Sequence, residues 1–160
     1  MIEKTLVLIK PDGVQRGLVG EILQRFEKVG LKIIAMKMVH VDQEFAREHY
    51  AEHVDKPFYP GLESLITMGP VVAMVLEGID AIELVRKMVG STEPKSAQPG
   101  TIRGDYAHVS YGHADETGIG VKNVIHASAN SEDAKKEVSL WFKDADIHEY
   151  GSVHDVHTRK

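Results

Sequence analysis

The chain contains no cysteine, which removes disulfide frameworks and thiolate metal sites and gives an oxidising compartment no support. Long apolar runs are missing too: the longest uninterrupted stretches are a handful of residues, against the roughly 20 a spanning helix needs. The start, Met1-Ile-Glu-Lys4, shows no basic lead followed by an apolar segment and a small-residue cleavage site. A soluble, cytoplasmic protein is expected. Positive charge is in deficit, with 24 Asp and Glu against 19 Lys and Arg and a formal net charge of −5. A nucleic-acid-coating face draws most of its binding from excess basic charge, so nucleic acid is a disfavoured partner. Small phosphorylated ligands stay open, because cations converging in a cleft dominate at contact distance while the far field is screened beyond roughly 8 Å. The two common nucleotide fingerprints are absent as well, Gly-x-x-x-x-Gly-Lys-Ser/Thr and a Gly-x-Gly-x-x-Gly after a strand. Any phosphate site must therefore be assembled from side chains.

At 160 residues the chain suits one compact domain, residues 1–160, a size that buries roughly 70% of its unfolded surface. No repeat, low-complexity tract or linker interrupts it. Thr5–Ile9 is an apolar run stopped by Lys10-Pro-Asp-Gly13, the pattern of a buried strand entering a turn. Leu18, Ile22, Phe26 and Val29 recur at helical spacing over Leu18–Val29, and Gly30 supplies the stop. Lys32–Val41 alternates as a second strand, with Asp42-Gln-Glu44 as a cap and Phe45–Val54 as the helix. Lys56-Pro-Phe-Tyr-Pro-Gly61 is a rigid aromatic turn and candidate lid, followed by a short helix through Leu62, Leu65 and Ile66. Val71–Leu76 is a strand, Ile79–Val89 an amphipathic helix, Asn123–Ser128 the last strand and Ser131–Phe142 the last helix, ahead of a polar tail. From Gly90 to about Lys122 lies a glycine-rich loop. Loops above roughly 15 residues are uncommon in compact domains unless functional or disordered, and function is the favoured reading. The order predicts an α+β split βαβ arrangement, an antiparallel sheet with helices on one face; a parallel doubly wound sheet is the rival.

Phosphate-binding candidates are Lys10 at a strand end, Arg86 on a helix, Thr92 just after it and Arg103 in the glycine-rich loop. Arginine's planar fork holds phosphate oxygens bidentately and lysine supplies a compact point charge. Taken singly, each is equally at home as a solvated surface charge, and spacing does not prove convergence. His126 sits in Asn123-Val-Ile-His-Ala-Ser128, apolar before it and small after it. It is either a hydrogen-bonded core histidine or a nucleophile, since an imidazole is largely unprotonated at neutral pH and can carry a phosphoryl group between two half-reactions. Glu137 on the following helix is a candidate orienting carboxylate.

Five ordered segments then match: Leu8-Ile-Lys-Pro-Asp-Gly-Val-Gln-Arg-Gly17, Arg47-Glu-His-Tyr50, Lys56-Pro-Phe-Tyr-Pro-Gly-Leu62, Gly100-Thr-Ile-Arg-Gly-Asp105 and Asn123–Ser128. In this order the chain resembles the nucleoside diphosphate kinases over nearly its whole length. The resemblance implies a ferredoxin-like βαββαβ sandwich and ping-pong transfer of a γ-phosphoryl group from a nucleoside triphosphate to another nucleoside diphosphate, through a phosphohistidine on His126. It implies that Lys10, Arg86, Thr92 and Arg103 contact phosphates, with Lys10 and Asn123 at the ribose. Phe58 would stack on the base, with Leu62 beside it and Val121 opposite; stacking tolerates any base, since every base has a π-face. Tyr50 would lie behind the histidine, and Ser128 and Glu137 would hold it. Mg2+ would ride on the nucleotide phosphates with no direct protein ligand, Glu52 being the nearest candidate through water. The family also implies a homo-oligomer, hexameric or tetrameric, with Pro94 in a loop near subunit junctions.

The sequence departs from that pattern in two places. After the histidine the family commonly carries an acid where this chain has Ala129, and retained activity is expected because that acid is not the nucleophile. The span from Asp105 to Asn123 is extended around Tyr111–Gly118, a long-loop form resembling archaeal members. Among the other histidines, His49 and His53 stand i, i+4 on a helix and His148, His154 and His157 crowd the tail; no third ligand is evident for the helical pair, so no structural metal is expected. The rival functions are a nucleotide-sensing or nucleic-acid-binding module on the same fold, the latter disfavoured by the net charge, and a phosphocarrier that passes phosphate from His126 to a protein.

Overall fold

The computed structural model describes residues 1–159. Its elements in chain order are β1 (Ile2–Ile9), α1 (Pro11–Gln15), α2 (Val19–Lys28), β2 (Lys32–His40), α3 (Gln43–His49), α4 (Tyr59–Thr67), β3 (Pro70–Ile79), α5 (Ala81–Val89), α6 (Ile102–Tyr106), α7 (Tyr111–Thr117), β4 (Ile125–Ala127), α8 (Ser131–Trp141) and α9 (Asp155–Thr158), with short 3-10 turns at Pro94–Ser96 and Asp144–Asp146. The strands form one sheet in the order β2-β3-β1-β4 with every pairing antiparallel. The parallel rival is thereby excluded, and the βαββαβ sandwich holds.

Helices cover both faces of the sheet, not one. Along β1, Val7 and Ile9 turn to a core with Ile22 and Phe26 of α2 and Val85 of α5, while Leu6 and Leu8 turn to a second core with Ala46 of α3, Ile66 of α4 and Trp141 of α8. The crossover helices of the βαββαβ unit fill the first face; the helices inserted between β2 and β3, together with α8, fill the second. A strand buried on both sides is apolar at every step, which is why Leu6–Ile9 lacks alternation. Other differences are local. The Lys10–Gly13 turn continues into α1, the helix expected over Phe45–Val54 stops at His49, and the expected loop from Gly90 to Lys122 contains α6 and α7. Side-chain caps from Thr101 and Ser110 start those two short helices. Among the described residues no helix is long and apolar enough to cross a membrane.

Candidate active site

The site lies at the junction of β1, β4 and the residues that lead into them. Lys10 follows β1 directly, and its backbone N–H donates to Val124 O at 2.8 Å. Val124 adopts φ +72°, a left-handed conformation that a β-branched residue rarely takes. The carboxylate of Asp12 accepts the Val124 N–H at 2.9 Å and holds that bend. The bend shortens the expected final strand to Ile125–Ala127 and sets Asn123 and His126 on the two sides of it.

His126 pairs with Leu8 across β1 and β4, and its side chain is 24% exposed. Its Nε2 lies 2.6 Å from Glu137 Oε2. The same carboxylate oxygen accepts from Ser128 Oγ at 3.2 Å, and that hydroxyl in turn accepts the Leu6 backbone N–H at 3.2 Å. A carboxylate accepting two donors fixes the proton on Nε2 of His126, so Nδ1 keeps its lone pair. Position 137 faces inward because α8 begins at an Asn130 cap, whose Oδ1 accepts the Asp133 N–H at 2.9 Å.

The predicted cations do converge. Lys10 is buried, and burial pushes it down to about 8, Arg103 adding to the fall and Asp12 opposing it. Arg103 is also buried, its guanidinium donating to the carbonyls of Ile125 at 2.6 Å, Gly90 at 3.1 Å and Asn123 at 3.3 Å. Burial, followed by the nearby Arg86, lowers it to about 10, which leaves it charged at neutral pH. Arg86 itself is exposed and shares a shallow depression with Ala129, Ser131, Glu3 and Asp80. Thr92 meets the group through its carbonyl, which accepts Asn123 Nδ2 at 2.9 Å, while Asn123 Oδ1 is buried with no partner. Burial, then Glu137, pushes the Tyr50 phenol up out of its ordinary range, so it stays neutral beside His49.

Phe58 is half exposed and stands off from His126; its ring lies 5.6 Å from that of His53, His53 lies 6.4 Å from Tyr50, and Tyr50 packs on His49 at 4.6 Å. Leu62 lies one turn further along, in α4. The long segment reaches this helix just before Val121, where Gly61 and Gly120 touch backbone to backbone: a Cβ on Gly120 would meet Gly61 O at 2.5 Å. Glu52 is exposed and close to Lys136 of α8, outside the cluster.

Three contributors escaped sequence reasoning. Asp12 reads as a turn residue, although the quoted Lys-Pro-Asp-Gly segment contained it. His49 was paired by spacing with His53, yet the structure sets it against His126 and Glu137, its ring 4.8 Å from that of His126. Trp141 donates its indole N–H to His49 Nδ1 at 3.1 Å. The trio His49, His126 and Glu137 has a composition that suits a transition metal, but the tryptophan's donation keeps the proton of a neutral His49 on Nε2 and withdraws that nitrogen as a ligand.

The profile of the nucleoside diphosphate kinase family matches residues 3–147. A nucleoside diphosphate kinase of Pyrococcus furiosus is 54% identical over 154 residues, covering 96% of this chain and 91% of that one. One from Thermus thermophilus is 56% identical over 146 residues, covering 91% and 99%. Among solved structures, the enzyme from Borrelia burgdorferi with bound vanadate and ADP, described as a transition-state mimic, superposes with a TM-score of 0.95 at 45% identity over 98% of this chain and 96% of that one. A Halobacterium salinarum enzyme in complex with CDP gives 0.88 at 45% identity, with both chains covered completely.

Proposed function

The chain belongs to the nucleoside diphosphate kinase family, and from that premise we propose how its own residues carry the phosphotransferase activity. The observation that carries the reading is the Glu137 contact at 2.6 Å, which engages Nε2 of His126 and leaves Nδ1 as the nucleophile. In the first half-reaction Nδ1 bonds to the γ-phosphorus as the bond from that phosphorus to the β–γ bridging oxygen breaks. The diphosphate leaves with the electron pair. The positive charge on the phosphorylated ring is stabilised by the Glu137 carboxylate through the retained Nε2–H. In the second half-reaction a terminal oxygen of another diphosphate attacks the phosphorus and the P–Nδ1 bond breaks. No proton need be gained or lost by His126 in either half, so Glu137 acts by orientation and charge.

Lys10, Arg86 and Arg103 neutralise the phosphates, and Thr92 and Asn123 hold the phosphate and ribose ends of the nucleotide. Phe58 with Leu62, and Val121 opposite, enclose the base. The vanadate and ADP named for the Borrelia relative and the CDP of the Halobacterium one support a site for di- and triphosphates of more than one base. Mg2+ fits as an ion carried on the phosphates: the one acid beside the cations, Asp12, gives Oδ2 to Val124 and keeps Oδ1 buried without a partner, short of the several oxygens a protein cage would supply. Bound there, it would neutralise phosphate charge. We read residues 1–160 as one catalytic domain, cytoplasmic and active as a hexamer or tetramer. Exposed Met36 and Met38 on the edge strand β2 support self-association.

Incubation with γ-labelled ATP followed by a GDP chase tests the reading. Acid-labile label forms on the protein and moves to GDP, and His126→Gln abolishes it. Label persisting on His126→Gln overturns the assignment, and label that passes to a protein but never to GDP favours a phosphocarrier.

A further inference from the structure

His49 has no part in the mechanism above, yet it is packed more closely around the reaction centre than several residues that have. It ends α3, and its ring touches three others: Tyr50 at 4.6 Å, His126 at 4.8 Å with the planes 80° apart, and Trp141 at 5.5 Å. The indole N–H of Trp141 has no acceptor capacity. Its contact with Nδ1 at 3.1 Å therefore makes that nitrogen the acceptor, so the neutral ring carries its proton on Nε2. That Nε2 is buried and has no partner. Protonating His49 would place a second donor on Nδ1 against the indole N–H and leave a cation in an enclosed pocket.

The charged and titratable groups around His49 reinforce this. His126 faces it from β4, Lys10 from the end of β1, His53 and Tyr50 from the turn after α3, and Glu137 from α8. Burial first, then His126, Lys10 and His53, hold its pKa well below the ordinary histidine range. Four ring nitrogens thus meet in one cluster. Nδ1 of His49 is taken by Trp141, Nε2 of His49 is protonated, and Nε2 of His126 is engaged by Glu137. One lone pair remains.

We propose that His49 is a positioning residue for phosphoryl transfer: Trp141 locks it as a neutral, Nε2-protonated imidazole, which braces the His126 ring and leaves Nδ1 of His126 as the one nucleophilic ring nitrogen in the cluster. This rests on the reading of His126 as the phosphorylated residue. The lock keeps a competing base, and a competing cation, away from the nucleophile across the pH range in which free histidines titrate.

The lock is tested directly on the wild-type protein by 15N NMR of the histidine rings. His49 is expected to show an unprotonated Nδ1 and a protonated Nε2 at every point from about pH 5 to 8. A His49 that titrates in that range, or that carries its proton on Nδ1, overturns the proposal whether or not His126 is phosphorylated. The functional consequence is read from the pH profile of single-turnover phosphorylation by ATP. In Trp141→Phe, Nδ1 of His49 is free to accept a proton, and that like charge disfavours protonation of the neighbouring His126, which moves the acid limb down by about one pH unit. The double variant Trp141→Phe with His49→Asn returns the limb to its wild-type position. An unmoved limb in Trp141→Phe, or a shift that survives in the double variant, refutes the lock. Absence of any phosphoenzyme in the wild type would instead refute the reading of His126 and leave the NMR result to decide the lock.

Discussion

Asp12 holds Val124 in a conformation that valine does not choose. The carboxylate accepts the Val124 N–H at 2.9 Å, and the residue, fully buried at φ +72°, turns the chain into β4 two residues before the nucleophile. Asp12→Ala leaves a buried N–H unpaired at a cost of about 1–3 kcal/mol and lets the bend relax. We expect a lower midpoint in urea unfolding together with a phosphorylation rate reduced about 100-fold, the scale of an ångström-sized misplacement. Asp12→Asn, which keeps an acceptor oxygen, should recover most of the stability. Equal stability of the alanine variant and the wild type would show that Val124 needs no such support.

Lys10 links activity to stability through pH. Burial lowers it to about 8 in the folded protein against 10.5 for a lysine in water. A depressed folded pKa on a cationic group means that the unfolded chain holds more protons between those values. Stability therefore rises with pH across that window, and below it the charged lysine costs on the order of 1–3 kcal/mol. Lys10→Met is expected to be more stable than the wild type at neutral pH, with the advantage fading above about pH 10. It should also raise KM for nucleotides, as the proposed phosphate contact of Lys10 requires. In the wild type, KM should climb above about pH 8 as the free site discharges. A Lys10→Met variant less stable at neutral pH would mean that the lysine's contacts outweigh its burial.

Two glycines bring the long segment against α4 beside the proposed base pocket. Gly120 and Gly61 meet with no room for a side chain, a Cβ on Gly120 reaching Gly61 O at 2.5 Å and Gly61 C at 2.9 Å. Gly120→Ala must push the segment carrying Val121 away from Gly61 and Leu62. Base stacking is worth about 1–3 kcal/mol, so loss of part of it raises KM by up to roughly tenfold. The single-turnover rate at saturating nucleotide should change little, because His126 and Glu137 are untouched. A fall confined to that rate would move Gly120 from the base pocket to the reaction centre.

The legible and illegible parts of the sequence divide along physical lines. Strands and the longer helices announce themselves by period, and the site residues by the order of their motifs, which is why Lys10, Arg103, Asn123 and His126 were found together. Helices α1, α6 and α7 run five to seven residues, too short for an amphipathic period to show. The covering of both sheet faces was written in the uninterrupted Leu6–Ile9 run but read only as a buried strand. The partner of His49 was out of reach: helical spacing offers His53, whereas the indole that fixes its proton lies 92 positions away. The bend at Val124 depends on Asp12, 112 positions distant, and no local propensity encodes it.

The tail beyond the family profile offers the last prediction. β2 is an edge strand, and its register slips between Ile33 and Ala35, which frees the carbonyl of Ile34 from the ladder. His148 donates its N–H there at 2.8 Å, and the Tyr150 hydroxyl donates to Ile33 O at 2.9 Å. The chain then returns through α9, where Arg159 meets Glu77 at 2.7 Å and Lys32 meets Asp155 at 3.4 Å, all four side chains largely enclosed. Thr158 packs on Gly30, whose φ of +86° and close methyl contact suit no larger residue. Truncation after Ile147 strips this cover, leaving Lys32 and Glu77 without these partners and half of an edge strand open to pairing. The truncated protein should unfold at lower temperature and form larger species on size-exclusion chromatography as concentration rises. Arg159→Ala should reproduce part of the thermal loss without the association, because the backbone cover stays. A truncated chain with wild-type melting would mean that residues 148–159 rest on the sheet without stabilising it.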